Sequence, residues 1–202
     1  MVWSHEPLGF AGFFRSVFLL PYVTLTVAIA LVWKWLYLPE VGLFNQVLKL
    51  FGLQGPAWLT NPLWAMPAII LLSVWKSFGY NMVLFLAGLQ GIPQSLYEAA
   101  SIDGANAWQR FRYVTLPMLS PVTFFVVVIS TIGSFQVFDQ VLVMTNGGPG
   151  LATTTLVLYI YQQGFQSFHM GYASAVAWVL FGIVFVFTLI QFWFQRRLVT
   201  YE

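Results

Sequence analysis

Four long apolar runs constrain this chain more than any other feature. They cover about residues 17–38, 64–92, 118–144 and 170–195. A helix needs roughly 20 apolar residues to cross the hydrocarbon core of a bilayer. Lys34 lies near one end of the first run, Lys76 near the middle of the second and Asp139 towards the far end of the third, while the fourth carries no charge. Of the 202 residues, 59% are hydrophobic and only 7% are charged, where a soluble domain is about a quarter charged. Lipid must therefore cover part of the surface. A membrane barrel needs alternating segments of ~10 residues, and these runs are continuous. The expected fold class is all-α: a polytopic transmembrane helical bundle, one domain over residues 1–202, with about four spans and a short helix-turn-helix in residues 93–117.

Several function classes fall away. The net charge of +2, from eight basic and six acidic side chains, is too sparse for a nucleic-acid surface. There is no Cys, and only His5 and His169 offer imidazole, so no metal centre is expected. No Ser-His-Asp set or acid-base pair of carboxylates can be assembled, so the chain is not expected to be an enzyme. Glu6 and the lack of a basic start argue against a cleavable signal peptide, and the first apolar run would serve as the targeting signal.

Lys and Arg set the orientation. Arg15, Arg110, Arg112, Arg196 and Arg197 share one side of a four-span chain, against Lys34 and Lys49 on the other. Positive residues favour the cytoplasm, which places both termini and the 93–117 loop inside. In residues 39–63, Leu43 to Phe51 suits a short interfacial helix, and Trp58 and Trp64 suit the aromatic belt. Residues 145–169 open with the turn Thr145-Asn146-Gly147-Gly148-Pro149-Gly150.

The 93–117 loop is the polar exception. Pro93 ends the second span, Ser95 is the expected N-cap and Glu98 completes a capping box. Leu96 to Asp103 would form about two turns, stopped by Gly104 in a left-handed conformation. A second helix would run from Asn106 to Val114, until Pro117 redirects the chain. Ala99 and Ala100 keep one face low, and Glu98 and Asp103 offer charge to a partner. Local physics alone also fits a capped interfacial hairpin without a partner.

Glu98-Ala99-Ala100, Asp103-Gly104-Ala105 and Phe111-Arg112-Tyr113-Val114-Thr115-Leu116-Pro117 resemble the EAA loop of binding-protein-dependent ABC import permeases. The chain from about residue 10 to residue 197 is similar to their carbohydrate branch, the maltose and glycerol-3-phosphate type. Supporting stretches include Gly133-Ser134-Phe135-Gln136-Val137-Phe138-Asp139 and Met170-Gly171-Tyr172-Ala173-Ser174-Ala175. The resemblance implies that Glu98, Ala99, Ala100, Asp103 and Gly104 dock on a cytoplasmic ABC ATPase. It also implies a second permease subunit, an extracytoplasmic sugar-binding protein, a sugar substrate and a bacterial-type inner membrane. The sequence has no phosphate-binding Gly-x-x-x-x-Gly-Lys loop. ATP and Mg are thus expected in the partner ATPase, and no cofactor on this chain. Family members usually have six or more spans and this sequence matches the last four, so the alternative is a truncated or inactive remnant that only docks.

A sugar path needs polar groups within the spans. Ser73, Lys76, Ser77 and Tyr80 fall at i, i+3, i+4 and i+7 on one helical face, with Asn81 beside them. Ser130 and Ser134 share a face of the third span. The resemblance implies that these two helices contribute to the sugar site. Lys76 requires water, an acid or a carbonyl; substrate, the partner permease and Asp139 are its candidate partners. Which sugar is carried is not legible in the sequence.

Overall fold

The computed structural model describes the backbone of residues 8–198 and the side chains of residues 12–195. The sequence readings that rest on His5, Glu6 and the side chains of Arg196 and Arg197 lie outside the described residues. Among the described residues eleven α-helices follow one another: α1 (Leu8–Val23), α2 (Thr26–Leu36), α3 (Leu43–Leu50), α4 (Pro62–Gln90), α5 (Gln94–Ile102), α6 (Ala107–Arg110), α7 (Leu116–Met118), α8 (Ser120–Phe135), α9 (Asp139–Met144), α10 (Leu156–Tyr161) and α11 (Met170–Leu198). Two π-helical turns interrupt them, Phe111–Thr115 and Gln162–Gln166. The described residues contain no strand, as the continuous apolar runs require.

α4 and α11 are each long and apolar enough to cross a bilayer. The other two expected spans differ from the sequence reading. The 17–38 run is two helices, α1 and α2, bent by 96°. Pro21 inside α1 removes a backbone donor, and Thr24 turns its hydroxyl back onto the Leu20 carbonyl at 2.7 Å, a contact that bends helices. The 118–144 run is also broken. The segment Ala107–Met118 meets α8 at 59°, α8 stops at Phe135, and Asp139 opens the separate helix α9.

The chain divides into two compact units: Met1–Gly79 with Ser134–Phe181, and Tyr80–Gly133 with Gly182–Glu202. In the first, Ile29, Ala30, Trp33 and Tyr37 of the α2 segment pack with Ala68, Ile69 and Leu72 of α4, Val141 and Met144 of α9, and Leu158 of α10. The Tyr37 hydroxyl donates to the Ala68 carbonyl at 3.0 Å, and its ring stacks on Phe44 at 4.9 Å. The expected helix at residues 43–51 is α3. It is pinned by Asn45, which is buried, donates to the carbonyls of Pro39 and Pro56 and accepts from Trp58 Nε1 at 2.7 Å. Trp58 thus has a hydrogen-bond partner, and the more exposed Trp64 packs edge-on against its ring at 5.3 Å.

Breaks in a helix free backbone carbonyls, and within hydrocarbon these need internal donors. Side chains from distant positions supply them. Lys76 Nζ donates to the Tyr22 carbonyl at 3.2 Å, Thr155 Oγ1 to Val137 at 2.8 Å and Lys34 Nζ to Val143 at 3.1 Å. A lysine at a helix C-terminus also meets the negative end of the helix dipole. Beside the α1 break, the Phe18 backbone lies directly against Gly79, where a Cβ would collide with the Phe18 carbonyl.

The turn at 145–150 is as expected, but the linker after it holds α10 and a π turn. Thr155 caps α10 by accepting from Leu158 N. Thr153 is fully buried, donates to the Gly148 carbonyl and meets the Thr145 hydroxyl at 2.7 Å. In the second unit, Gly88 of α4 lets Leu119 and Val122 approach closely. Phe124 of α8 meets Phe192 of α11 edge-on.

Candidate functional site

The candidate site is the hairpin built from α5, the turn at residues 103–106, α6 and the π turn, all within the second unit. Pro93 occupies the N-cap position in an extended conformation and Gln94 already starts the helix. Ser95 is therefore not the N-cap, and the expected Ser95–Glu98 capping box is absent; α5 has no side-chain cap. The proline's fixed φ starts the helix two residues early, which leaves the Glu98 carboxylate exposed rather than folded back on the backbone.

The C-terminal end of α5 follows expectation. Gly104 has φ +76°, a conformation that L side chains rarely adopt. Ala105 N donates to Ala100 O at 2.9 Å and Gly104 N to Ser101 O at 3.1 Å, the paired bonds of a Schellman stop. A capping box does occur, one helix later. Asn106 Oδ1 accepts from Gln109 N at 2.9 Å, and Gln109 Oε1 accepts from Asn106 N at 2.7 Å. The Asn-x-x-Gln spacing was visible in the sequence, but the reading placed the box at Ser95. The second helix does not stop at Val114. It passes through the π turn and Pro117 to Met118, and the bend comes at Leu119.

Glu98, Ala99, Asp103 and Gly104 are exposed and Ala100 is half-buried. Ile102 is 88% exposed and Trp108 69%. An open depression of about 530 Å³ is lined by Gln94, Tyr97, Glu98, Ser101, Ile102 and Arg110. The surface thus combines carboxylates, small residues and uncovered apolar side chains on a capped scaffold, a composition that suits a protein partner.

The polar residues of the spans are divided between the units. Ser73, Lys76, Ser77 and Ser134 belong to the first, and Tyr80, Asn81 and Ser130 to the second. α4 runs unbroken through its four, so the spacing that puts Ser73, Lys76, Ser77 and Tyr80 on one face holds. Ser77 donates to the Val74 carbonyl of its own helix at 3.2 Å. Ser73 donates to Ile69 O and accepts from Gln140 Nε2 at 2.7 Å. Gln140, which sequence reasoning passed over, thereby joins α9 to α4. Lys76 reaches a carbonyl, that of Tyr22, and its ammonium lies 5.6 Å from the Tyr22 ring centroid. Tyr80 and Asn81 are half-buried, and Ser130 and Ser134 are exposed. Among the described residues no group of three or more His, Cys, Asp or Glu side chains is placed to hold a metal ion.

The family described as "Binding-protein-dependent transport system inner membrane component" matches residues 8–200. The chain belongs to this family. The inner-membrane family agrees with α4 and α11 as spanning helices. A lactose transport system permease protein of Rhizobium radiobacter is 41% identical over 199 residues, covering 96% of this chain and 66% of the relative. A trehalose/maltose transport system permease protein of Thermococcus litoralis is 39% identical over 186 residues, covering 92% and 63%. The chain thus spans just under two thirds of the length of these relatives. Among solved structures, a chain of a bacterial ABC transporter involved in import of the acidic polysaccharide alginate superposes with a TM-score of 0.84 at 26% identity. That match covers 98% of this chain and 69% of the other. The same type of transporter in complex with an alginate pentasaccharide-bound periplasmic protein gives 0.83 at 27% identity, covering 96% and 68%.

Proposed function

We propose that this chain is the permease subunit of an ATP-driven carbohydrate importer, coupled to a cytoplasmic ATPase through residues 93–117. The observation that carries the reading is the exposed hairpin whose Schellman stop at Gly104 displays Glu98, Ala99 and Asp103 beside the uncovered Ile102. Carboxylates there can pair with a basic rim on the partner, and the two alanines allow close approach. ATP and Mg act in that separate ATPase. Sugar arrives from an extracytoplasmic binding protein, a second permease subunit completes the path, and both termini lie in the cytoplasm. Relatives named for lactose, trehalose/maltose and alginate support a carbohydrate as cargo.

Ser73, Ser77, Tyr80, Asn81, Ser130 and Ser134 supply the path with hydroxyl and amide groups that exchange hydrogen bonds with a polyhydroxyl solute. Lys76 belongs to the same helix face, with its ammonium held at the Tyr22 carbonyl.

The test is co-purification. The chain is co-expressed with a candidate ABC ATPase and a candidate second permease, as wild type, Glu98→Lys and Gly104→Pro. Wild type should retain the ATPase and both variants should lose most of it; equal recovery in all three would reject the docking role. Uptake of labelled sugar by the complete set of subunits tests transport, and an intact complex without uptake would identify a docking-only remnant.

A further inference from the structure

We infer that a hydroxyl pair, Tyr97 with Thr115, is the lateral link that passes movement of the docking helix α5 to the root of α8; the inference rests on the docking role proposed above. The Tyr97 hydroxyl and Thr115 Oγ1 lie 2.9 Å apart. Of residues 94–118, Thr115 alone is buried, with 9% of its surface exposed. No residue of α5 or α6 is fully buried, and Tyr97, Ala100 and Arg110 are half-buried. Apolar packing therefore does little to hold the hairpin together, and its polar contacts carry the sideways connection.

Those contacts form a short chain. Ser101 Oγ donates to the Tyr97 carbonyl at 2.7 Å and accepts from Arg110 Nη1 at 3.0 Å. Thr115 closes the π turn, and Leu116 N donates to Phe111 O across it. A π turn is a widened turn often found at functional positions. This one stands between α6 and the 59° bend at Leu119 that begins α8. Besides the Ser101–Arg110 bond, which ties α5 to α6, a push on α5 has two further routes towards α8. One is the exposed turn at residues 103–106, centred on a glycine in the left-handed region. The other is the Tyr97–Thr115 bond, which enters directly below the bend. The second ends on the buried side chain of this segment, Thr115. Tyr97 and Thr115 are therefore positioning residues for coupling.

The experiment uses the importer assembled in proteoliposomes from this chain, its second permease, ATPase and binding protein, with sugar-stimulated ATP hydrolysis and ATPase co-purification both measured. Thr115→Val keeps the shape and removes the hydroxyl. It should retain the ATPase but reduce stimulation by about 2- to 12-fold, the range that one hydrogen bond of ~0.5–1.5 kcal/mol represents. Thr115→Ser should restore stimulation. Thr115→Val also removes the 3.5 Å contact of Thr115 Oγ1 with the Arg110 carbonyl. Tyr97→Phe, which removes the Tyr97–Thr115 bond alone, should therefore by itself lower stimulation, and the double variant should be no worse than Thr115→Val. Unchanged stimulation in Thr115→Val, loss of the ATPase with it, or no rescue by Ser would each overturn the link. If wild type itself retains no ATPase, the docking role fails and the link falls with it; a docked, responsive wild type with an unresponsive substitution series rejects the link alone.

Discussion

Lys76 caps a broken helix: its Nζ donates to the carbonyl of Tyr22 at 3.2 Å, where α1 ends and the chain bends by 96° into α2. A mid-span lysine invites a substrate role. The geometry shows a local duty that any such role must share. An ammonium at the C-terminal end of a helix satisfies an orphan carbonyl and meets the negative end of the dipole.

Lys76→Met should therefore destabilise the protein by about 1.5–3 kcal/mol, the value of a hydrogen bond to a charged group. Lys76→Arg should retain most of that stability. Thermal or denaturant unfolding in detergent checks this; an unchanged midpoint in Lys76→Met would show that the cap contributes nothing.

Gly79 lies against the Phe18 backbone, and a Cβ there would strike the Phe18 carbonyl. Gly79→Ala should cost about 1–3 kcal/mol by overpacking. Gly133→Ala is the control, because a Cβ at Gly133 meets nothing within 4 Å. It should be neutral or stabilising by up to about 1 kcal/mol through helix propensity. Equal midpoints for the two variants would contradict the close α1–α4 approach.

Asn45 joins three parts of the 39–58 linker through Pro39, Pro56 and Trp58. Asn45→Leu fills similar space but leaves the Trp58 indole N–H and two carbonyls unpaired. A loss of about 2–3 kcal/mol is expected from unsatisfied buried groups, together with a shift in tryptophan emission. An unaltered spectrum and midpoint would count against this linker network.

The capping boxes make opposite predictions. Asn106→Ala should raise amide exchange at residues 107–110, with a local cost of about 1 kcal/mol. Ser95→Ala should leave exchange at Gln94–Ile102 unchanged, because α5 starts at Gln94 with no side-chain cap. Protection lost in Ser95→Ala would restore the sequence-based N-cap.

The helical membrane class and the Gly104 stop were legible because each depends on short-range chemistry. Apolar length alone identifies α4 and α11, and a glycine after a helical pattern predicts φ > 0. The start of α5 was misplaced because Pro93 was read only as the end of the second span, whereas its backbone, and not the Ser95 side chain, starts the helix. α10 was missed because it lies in a linker whose opening turn dominates the pattern, and its Thr155 cap also serves the Val137 carbonyl, 18 positions away.

By itself the sequence determined the number and rough place of the apolar runs, the α-helical class and the turn that displays Glu98 to Gly104. Tertiary structure decided where those runs break and which side chains make the breaks tolerable. Lys76 and Tyr22 are 54 positions apart, and Lys34 and Val143 are 109 apart. Helix formation follows from neighbours within four residues. A freed carbonyl in hydrocarbon must instead be met by whatever donor the packing of other helices brings to it, and no local pattern encodes that pairing.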